Sequence, residues 1–247
     1  MNFEDIISCK LKPINIEKTP FTINGVLFNM ICVEGGTFQM GATPEMKEPH
    51  DDEKPVHQVT LSTYYIGETE VTQALWKAVM DNNPSHFKGD NNPVEYVSWD
   101  DCQTFVQKLS QMTGKKFRLP TEAEWEFAAR GGNKSQEYQY SGSNNLDEVA
   151  WYVENSCNKT HPVAQKKANE LGLYDMSGNI FEWCQDWYGG YSSQAQTNPT
   201  GPDSASHRVF RGGSWDGRAR GCRSSGRGSA WPGNWGDYLG LRLVLIN

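Results

Sequence analysis

From Gly131 to the C-terminus the chain shows little sustained hydrophobic period, yet it keeps placing tryptophans, at 151, 183, 187, 215, 231 and 235. Regular secondary structure is therefore expected to be sparse in this half. Segments 131–165 and 185–207 are rich in Gly, Ser, Asn, Gln and Pro. Long irregular stretches inside a compact domain are uncommon and tend to carry function. Disorder is excluded, because aromatics make up 12% of the 247 residues. Trp151, Tyr152, Trp183, Trp187 and Tyr188 are expected to pin the irregular stretches to a core.

The first half is more regular. Residues 28–32, 37–40, 57–61 and 64–68 mix β-branched and aromatic residues between glycines and read as strands. Three helices follow, over 73–80, 99–112 and 122–130. Thr72 is a candidate cap for the first. Ser98 with Asp101, and Thr121 with Glu124, form capping-box patterns for the others. Cys102, Phe105, Val106, Leu109 and Met112 recur on one face of the second, Gly114 stops it, and Gly131 is a left-handed stop for the third. A final strand is expected over 239–246. Residues 1–20, ending in Thr19-Pro20, read as an N-terminal extension, and 21–247 as one α+β domain with no repeat or linker.

Charge is unevenly placed. Residues 1–207 hold 16 basic and 28 acidic side chains, whereas 208–247 hold seven Arg, no Lys and only Asp216 and Asp237 as acids. Arg interleaved with Gly and Trp is expected to satisfy carbonyls and carboxylates in a packed segment. No Lys cluster or nucleic-acid motif accompanies it, so nucleic acid is not expected as a partner. The six cysteines contain no CxxC, which leaves a zinc or thioredoxin-type site without support. They are expected to be mostly reduced and partly buried. No apolar run approaches 18 residues, so membrane insertion is not expected. The opening MNFEDIISCKLKP lacks the pattern of a signal peptide. Cytoplasm, a phage particle and export by another route all fit such a chain.

Several phrases then resemble one family in its order: VEGGTFQMG at 33–41, GETEVT at 67–72, NPVEYVSW at 92–99, RLPTEAEWEFAARG at 118–131, GLYDMSGNIFEW at 172–183, RGGSW at 211–215 and GLR at 240–242. Together they resemble the formylglycine-generating enzyme, or sulfatase-modifying factor, family. The resemblance implies that family's variant of the C-type-lectin-like fold: a limited, irregular antiparallel sheet with flanking helices and long loops. Within RLPTEAEWEFAARGG, Arg118 and Arg130 are expected to join buried ion pairs with Glu122, Glu126 or Glu182.

The family's enzyme is an oxidase that converts a sulfatase cysteine to formylglycine, with copper held by two cysteines. Paired thiolates suit soft Cu(I). Here the first of the two positions after RGGS falls on Gly217 and the second on Cys222. Glycine supplies no ligand, so copper is not expected and Cys222 is a residual family position without a catalytic partner. A copper-dependent formylglycine-generating oxidase is therefore the alternative reading. The resemblance also implies calcium in the loop 175–182, through side-chain oxygens of Asp175 and Glu182 and carbonyls of Gly178 and Ile180, the hard donors that calcium prefers.

Span 215–238 sits between two fixed-looking phrases, RVFRGGSW and LGLRLVL, and regular secondary structure is not expected in it. It resembles the variable region of diversity-generating-retroelement proteins, in which template asparagine codons are randomised at adenines. Such an origin would show in the coding DNA as a near-copy of the 3′ region beside a reverse transcriptase. The ligand-binding residues expected are Asp216, Gly217, Arg218, Gly221, Ser225, Gly226, Gly228, Ser229, Ala230, Trp231, Gly233, Asn234, Trp235, Gly236, Asp237 and Tyr238. Trp and Tyr offer rigid contact area, while Ser, Asn and Asp adapt their hydrogen bonds. Trp231 and Trp235 are expected to be exposed. The chain thus reads as a non-catalytic recognition or display protein whose partner is a protein or a surface glycan.

Overall fold

The computed structural model describes residues 18–246. Strands β1 (Lys18–Ile23) and β2 (Val26–Val33) form a hairpin. Its turn places Asn24 and Gly25 at positive φ, as a two-residue hairpin loop requires. Strands β3 (Gly36–Met40) and β4 (His57–Leu61) pair antiparallel, and β5 (Tyr64–Gly67) returns beside β2. Then come α1 (Gln73–Met80), α2 (Trp99–Thr113), β6 (Lys116–Arg118), α3 (Glu122–Ala129) and the one-turn α4 (Leu146–Val149). The irregular half contributes β7 (Phe181–Trp187), β8 (Gln196–Thr197), β9 (Arg208–Arg211), β10 (Arg227–Ala230), β11 (Leu239–Leu241) and β12 (Val244–Ile246).

These strands make a five-stranded sheet in the order β1-β2-β5-β12-β6, a four-stranded sheet β10-β9-β7-β11, and a three-stranded sheet β3-β4-β8. The result is a mixed α+β domain, with small sheets, flanking helices and long loops. The caps act as their sequences foretell. Thr72 Oγ1 accepts the Leu75 N–H, and the Ser98/Asp101 and Thr121/Glu124 boxes both close. Gly114 at φ 67° and Gly131 at φ 91° take the left-handed conformation that ends α2 and follows α3.

One core lies under α1 and α2, where the Trp76 and Phe105 rings stack at 4.9 Å beside Leu109, Trp183 and Leu241. A second surrounds α3 and includes Trp125, Phe127, Val209 and Val244. Every residue of α3 is buried, three glutamates included among apolar residues, so these must find cationic or hydrogen-bonding partners inside the protein.

The structure also corrects several expectations. Lys18–Pro20 belong to β1, since their backbones pair with Met30, Ile31 and Asn29. The rest of the 1–20 extension lies outside the described residues. The single final strand is two, β11 and β12, in different sheets, because Arg242 between them turns into the interior. Met112 is exposed on the last turn of α2, beyond the part of that helix that the core covers. Arg118 pairs with Glu124, at 2.6 and 2.7 Å, not with Glu122, Glu126 or Glu182. Arg130 does pair with Glu126, at 2.8 Å. Span 215–238 is not wholly irregular, since β10 and a 3₁₀ turn at Ala219–Cys222 lie within it.

Candidate functional site

Five of the seven arginines in the last forty residues are fixtures, while Arg218 and Arg220 are exposed. Arg211 is fully buried; it pairs with Glu126 and donates to the Ser225 and Gly226 carbonyls. Arg223, also fully buried, grips both oxygens of Glu53 at 2.6 Å. Arg227 grips Glu122 through two bonds of 2.7 Å and lies over the Tyr188 and Tyr191 rings. Arg242 binds Glu182 at 2.7–3.0 Å and the Gly67 and Tyr174 carbonyls. Arg208 is sandwiched between Trp99 and Trp187, 3.8 and 3.4 Å from their ring centres. The tail is therefore stitched to buried glutamates elsewhere in the chain, and by Arg208 to two tryptophans, through planar contacts that fix orientation as well as position.

This stitching sorts the expected ligand-binding residues. Asp216, Arg218, Trp231, Gly233, Asn234, Trp235 and Tyr238 are exposed, and Gly217, Gly221, Gly228, Ser229, Ala230 and Asp237 are half-buried. Ser225, Gly226 and Gly236 are buried. The Ser225 hydroxyl donates to Glu53, and the Ser225 and Gly226 carbonyls hold Arg211, so both residues belong to the frame and not to a surface. The glycines differ too. A Cβ at Gly221 or Gly233 would meet nothing within 4 Å, but at Gly228 it would stand 2.3 Å from the Phe210 ring.

The exposed residues form two groups. Asp216 to Arg220 lie near the 48–49 and 153 segments, through Arg220 to the Glu48 carbonyl and the Val153 N–H to the Gly217 carbonyl. Trp231 to Tyr238 lie over the segment 96–99: the Tyr96 N–H binds the Gly236 carbonyl and the Trp99 N–H the Pro232 carbonyl. Trp231 and Trp235 are 57% and 55% exposed, in accord with the sequence reading. Tyr96 packs against Trp235 at 4.4 Å and His207 against Trp231 at 4.7 Å. Sequence reasoning missed Tyr96. No sequence signal marks it within NPVEYVSW; the structure shows it at φ 68° and 38% exposed. Trp215 joins the two groups, its indole donating to the Asp237 carbonyl at 2.9 Å.

Cys222 is buried among Tyr140, Leu146, Val149 and Tyr152, and burial pushes its thiol up to about 12. At neutral pH it is a thiol and not a thiolate. A Cβ at Gly217 would face the Ser214 carbonyl and hydroxyl, both at 3.2 Å. Cys184 sits in the α3 core, and Cys157 is exposed. These residues do not fit a two-thiolate copper centre.

In the loop 175–182 the donors are unequal. Glu182 is saturated by Arg242 and by the Trp125 indole at 2.6 Å. Asp175 is buried and held up to about 6, by burial first; its Oδ2 accepts the Ala164 N–H while Oδ1 has no partner. Asp175 Oδ1 is thus an oxygen still free to accept a ligand in this loop, whereas Glu182, as now held, is not. Among the described residues no group of three or more His, Cys, Asp or Glu gathers as a metal cluster, and no helix is long and apolar enough to cross a membrane.

The family model described as the sulfatase-modifying factor enzyme 1-like domain matches residues 20–246. The chain is 37% identical to the chaperone protein LppX of Paenibacillus barcinonensis, over 87% of this chain and 89% of that one. It is 29% identical to the formylglycine-generating enzyme of Streptomyces coelicolor, over 87% and 88%. Among solved structures, Treponema denticola variable protein 1 superposes with a TM-score of 0.85 at 36% identity, covering 96% of this chain and all of that one.

Proposed function

Since this chain belongs to the sulfatase-modifying factor enzyme 1-like domain family, we propose that it uses the family's scaffold for non-catalytic recognition, with its ligand face on the exposed residues of 231–238 and on Tyr96. One observation carries the reading: Trp231 and Trp235 stand more than half exposed on a segment that buried Arg–Glu pairs hold fixed. A Trp kept in water on a rigid frame is the residue type that anchors interfaces, because little rotamer freedom is lost when a partner covers it. The likeness to a variable protein supports a surface whose side chains change while its frame does not. The open surroundings of Gly221 and Gly233 suit such exchange, and diversification by a retroelement is part of this proposal. The partner is a protein or a surface glycan.

Replacing Trp231 and Trp235 together by Ala is expected to leave the melting temperature within about 2 °C. The same variant should lose at least about thirtyfold in affinity for whatever ligand a protein and glycan array returns for the native chain. A large fall in melting temperature would make the two rings part of the core and end the proposal.

The oxidase reading is supported by the relatives named formylglycine-generating enzyme. It lacks the thiolate pair. Protein incubated with Cu(I) and a cysteine-containing sulfatase peptide is expected to leave the peptide unconverted while a working formylglycine-generating enzyme converts it. Formylglycine in that peptide would replace the recognition reading. Calcium is proposed separately for Asp175, Gly178 and Ile180. Millimolar calcium, compared with a chelator, is expected to raise the melting temperature in wild type and not in Asp175→Ala; equal melting curves would remove the ion from the account.

A further inference from the structure

A groove of about 520 Å³ lies away from the exposed tryptophans, between the start of β4, the N-terminus of α3, the end of β7 and the loop 189–202. That size suits a ligand of one or two sugar units. The charged pair on its wall, Arg227 with Glu122, is closed on itself by two hydrogen bonds, so neither charge is left for a ligand. What remains is polar and neutral. Nδ1 of His57 donates to the Pro55 carbonyl at 3.1 Å, which leaves Nε2 of the ring as an acceptor. Gln196 brings an amide that donates and accepts. Pro199 and Pro202 supply apolar ring surfaces, beside Trp187 and Tyr191, each of which has one face taken by Arg208 or Arg227.

Asp186 is the informative member. It is only 4% exposed, and its Oδ2 accepts the Glu122 N–H at 2.9 Å. Burial first, then the nearby Glu122 and Glu124 of α3, push its carboxyl up to about 8. Near neutral pH it is an acid, and with Oδ2 occupied as an acceptor its proton belongs on Oδ1. Gly201, at φ 74°, packs close beside it: a Cβ there would stand 3.0 Å from the Asp186 Cβ and 3.3 Å from Oδ1, so only a glycine leaves this edge of the groove open. The groove thus offers a carboxylic O–H donor, an imidazole acceptor, an amide and apolar ring faces, with no unpaired charge.

We propose that this groove is a second binding site, for a neutral polyhydroxylated ligand of the hexose class. Hydroxyls of the ligand pair with Asp186, His57 and Gln196, and its C–H faces lie on the rings. A charged sugar gains nothing there, because the one cation is already satisfied. The inference stands independently of the ligand face at 231–238.

The probes are D-glucose, D-galactose, D-mannose and N-acetylglucosamine, titrated into isotope-labelled protein and followed by amide chemical shifts. At least one neutral hexose is expected to move the amides of Gly189, Gly190, Gln196 and Gly201, with an affinity on the order of 1 mM. Asp186→Leu and Gln196→Ala should each weaken it about tenfold, and Asp186→Asn, which keeps a weaker donor, should cost clearly less. Wild type also supplies a test free of any folding defect. Binding should weaken as pH rises from about 7 to about 9.5, when the acid loses its proton among Glu122, Glu124, Arg208 and His57. Shifts confined to 231–238, no response to any neutral hexose, tighter binding of glucuronate, or an affinity unchanged over that pH range would each overturn the proposal.

Discussion

Glu53→Ala is expected to destabilise the protein by about 3–5 kcal/mol, the cost of stranding a buried charge. Glu53 is wholly buried, and its carboxylate receives Arg223 twice at 2.6 Å, the Ser225 hydroxyl at 2.6 Å and the His50 N–H at 2.8 Å. Remove it, and the Arg223 guanidinium remains in the interior without its counter-charge. Burial alone would push the Glu53 carboxyl up, but the bonds from Arg223, Ser225 and His50 outweigh it and hold the group below the ordinary value. The sign follows: this contribution is complete above about pH 4.5 and is lost as acid protonates the carboxylate. Urea unfolding of wild type and variant at neutral pH measures the loss. The expected contrast with the Trp231/Trp235 double variant is the separation of frame from display surface. A Glu53→Ala variant within 1 kcal/mol of wild type would mean that the frame is not held by these pairs.

Much of this frame was legible before any coordinates. The capped helices were, because a cap, an apolar stripe and a terminal glycine are local signals that need no distant partner. The packed role of the tail arginines was legible in kind, from Arg interleaved with Gly and Trp. Their partners were not, for Glu53 and Arg223 are 170 residues apart. Strand β7 was missed because FEWCQDW is covered on both faces and so shows no alternation. Within the candidate site, exposure of Trp231 and Trp235 could be read from their Gly- and Asn-rich setting. The burial of Ser225 and Gly226 could not, since what covers them is the Glu53 and Arg211 network and nothing in their own neighbourhood.

Asp186→Asn is expected to stabilise the protein above neutral pH by about 2–4 kcal/mol, and to change little near pH 4. An unfolded aspartate titrates near 3.9, whereas the folded carboxyl is held up to about 8. Folding therefore takes up a proton between these values, and stability falls as pH climbs through that window, then levels off. Asparagine has no proton to lose, so its curve stays flat where that of wild type declines. Its amide oxygen can still accept the Glu122 N–H, so the local geometry survives. Arg208 places its charge near Asp186, but the acid is neutral below about pH 8 and offers it no counter-charge there. Thermal melts of both proteins from about pH 4 to about pH 9 would show the divergence; parallel curves would mean that Asp186 is ionised throughout. A buried acid that costs stability at the pH where its plain amide would not is better explained by what it faces. Asp186 borders an open groove, and there an acidic O–H is a stronger donor to a hydroxyl than the amide that could replace it.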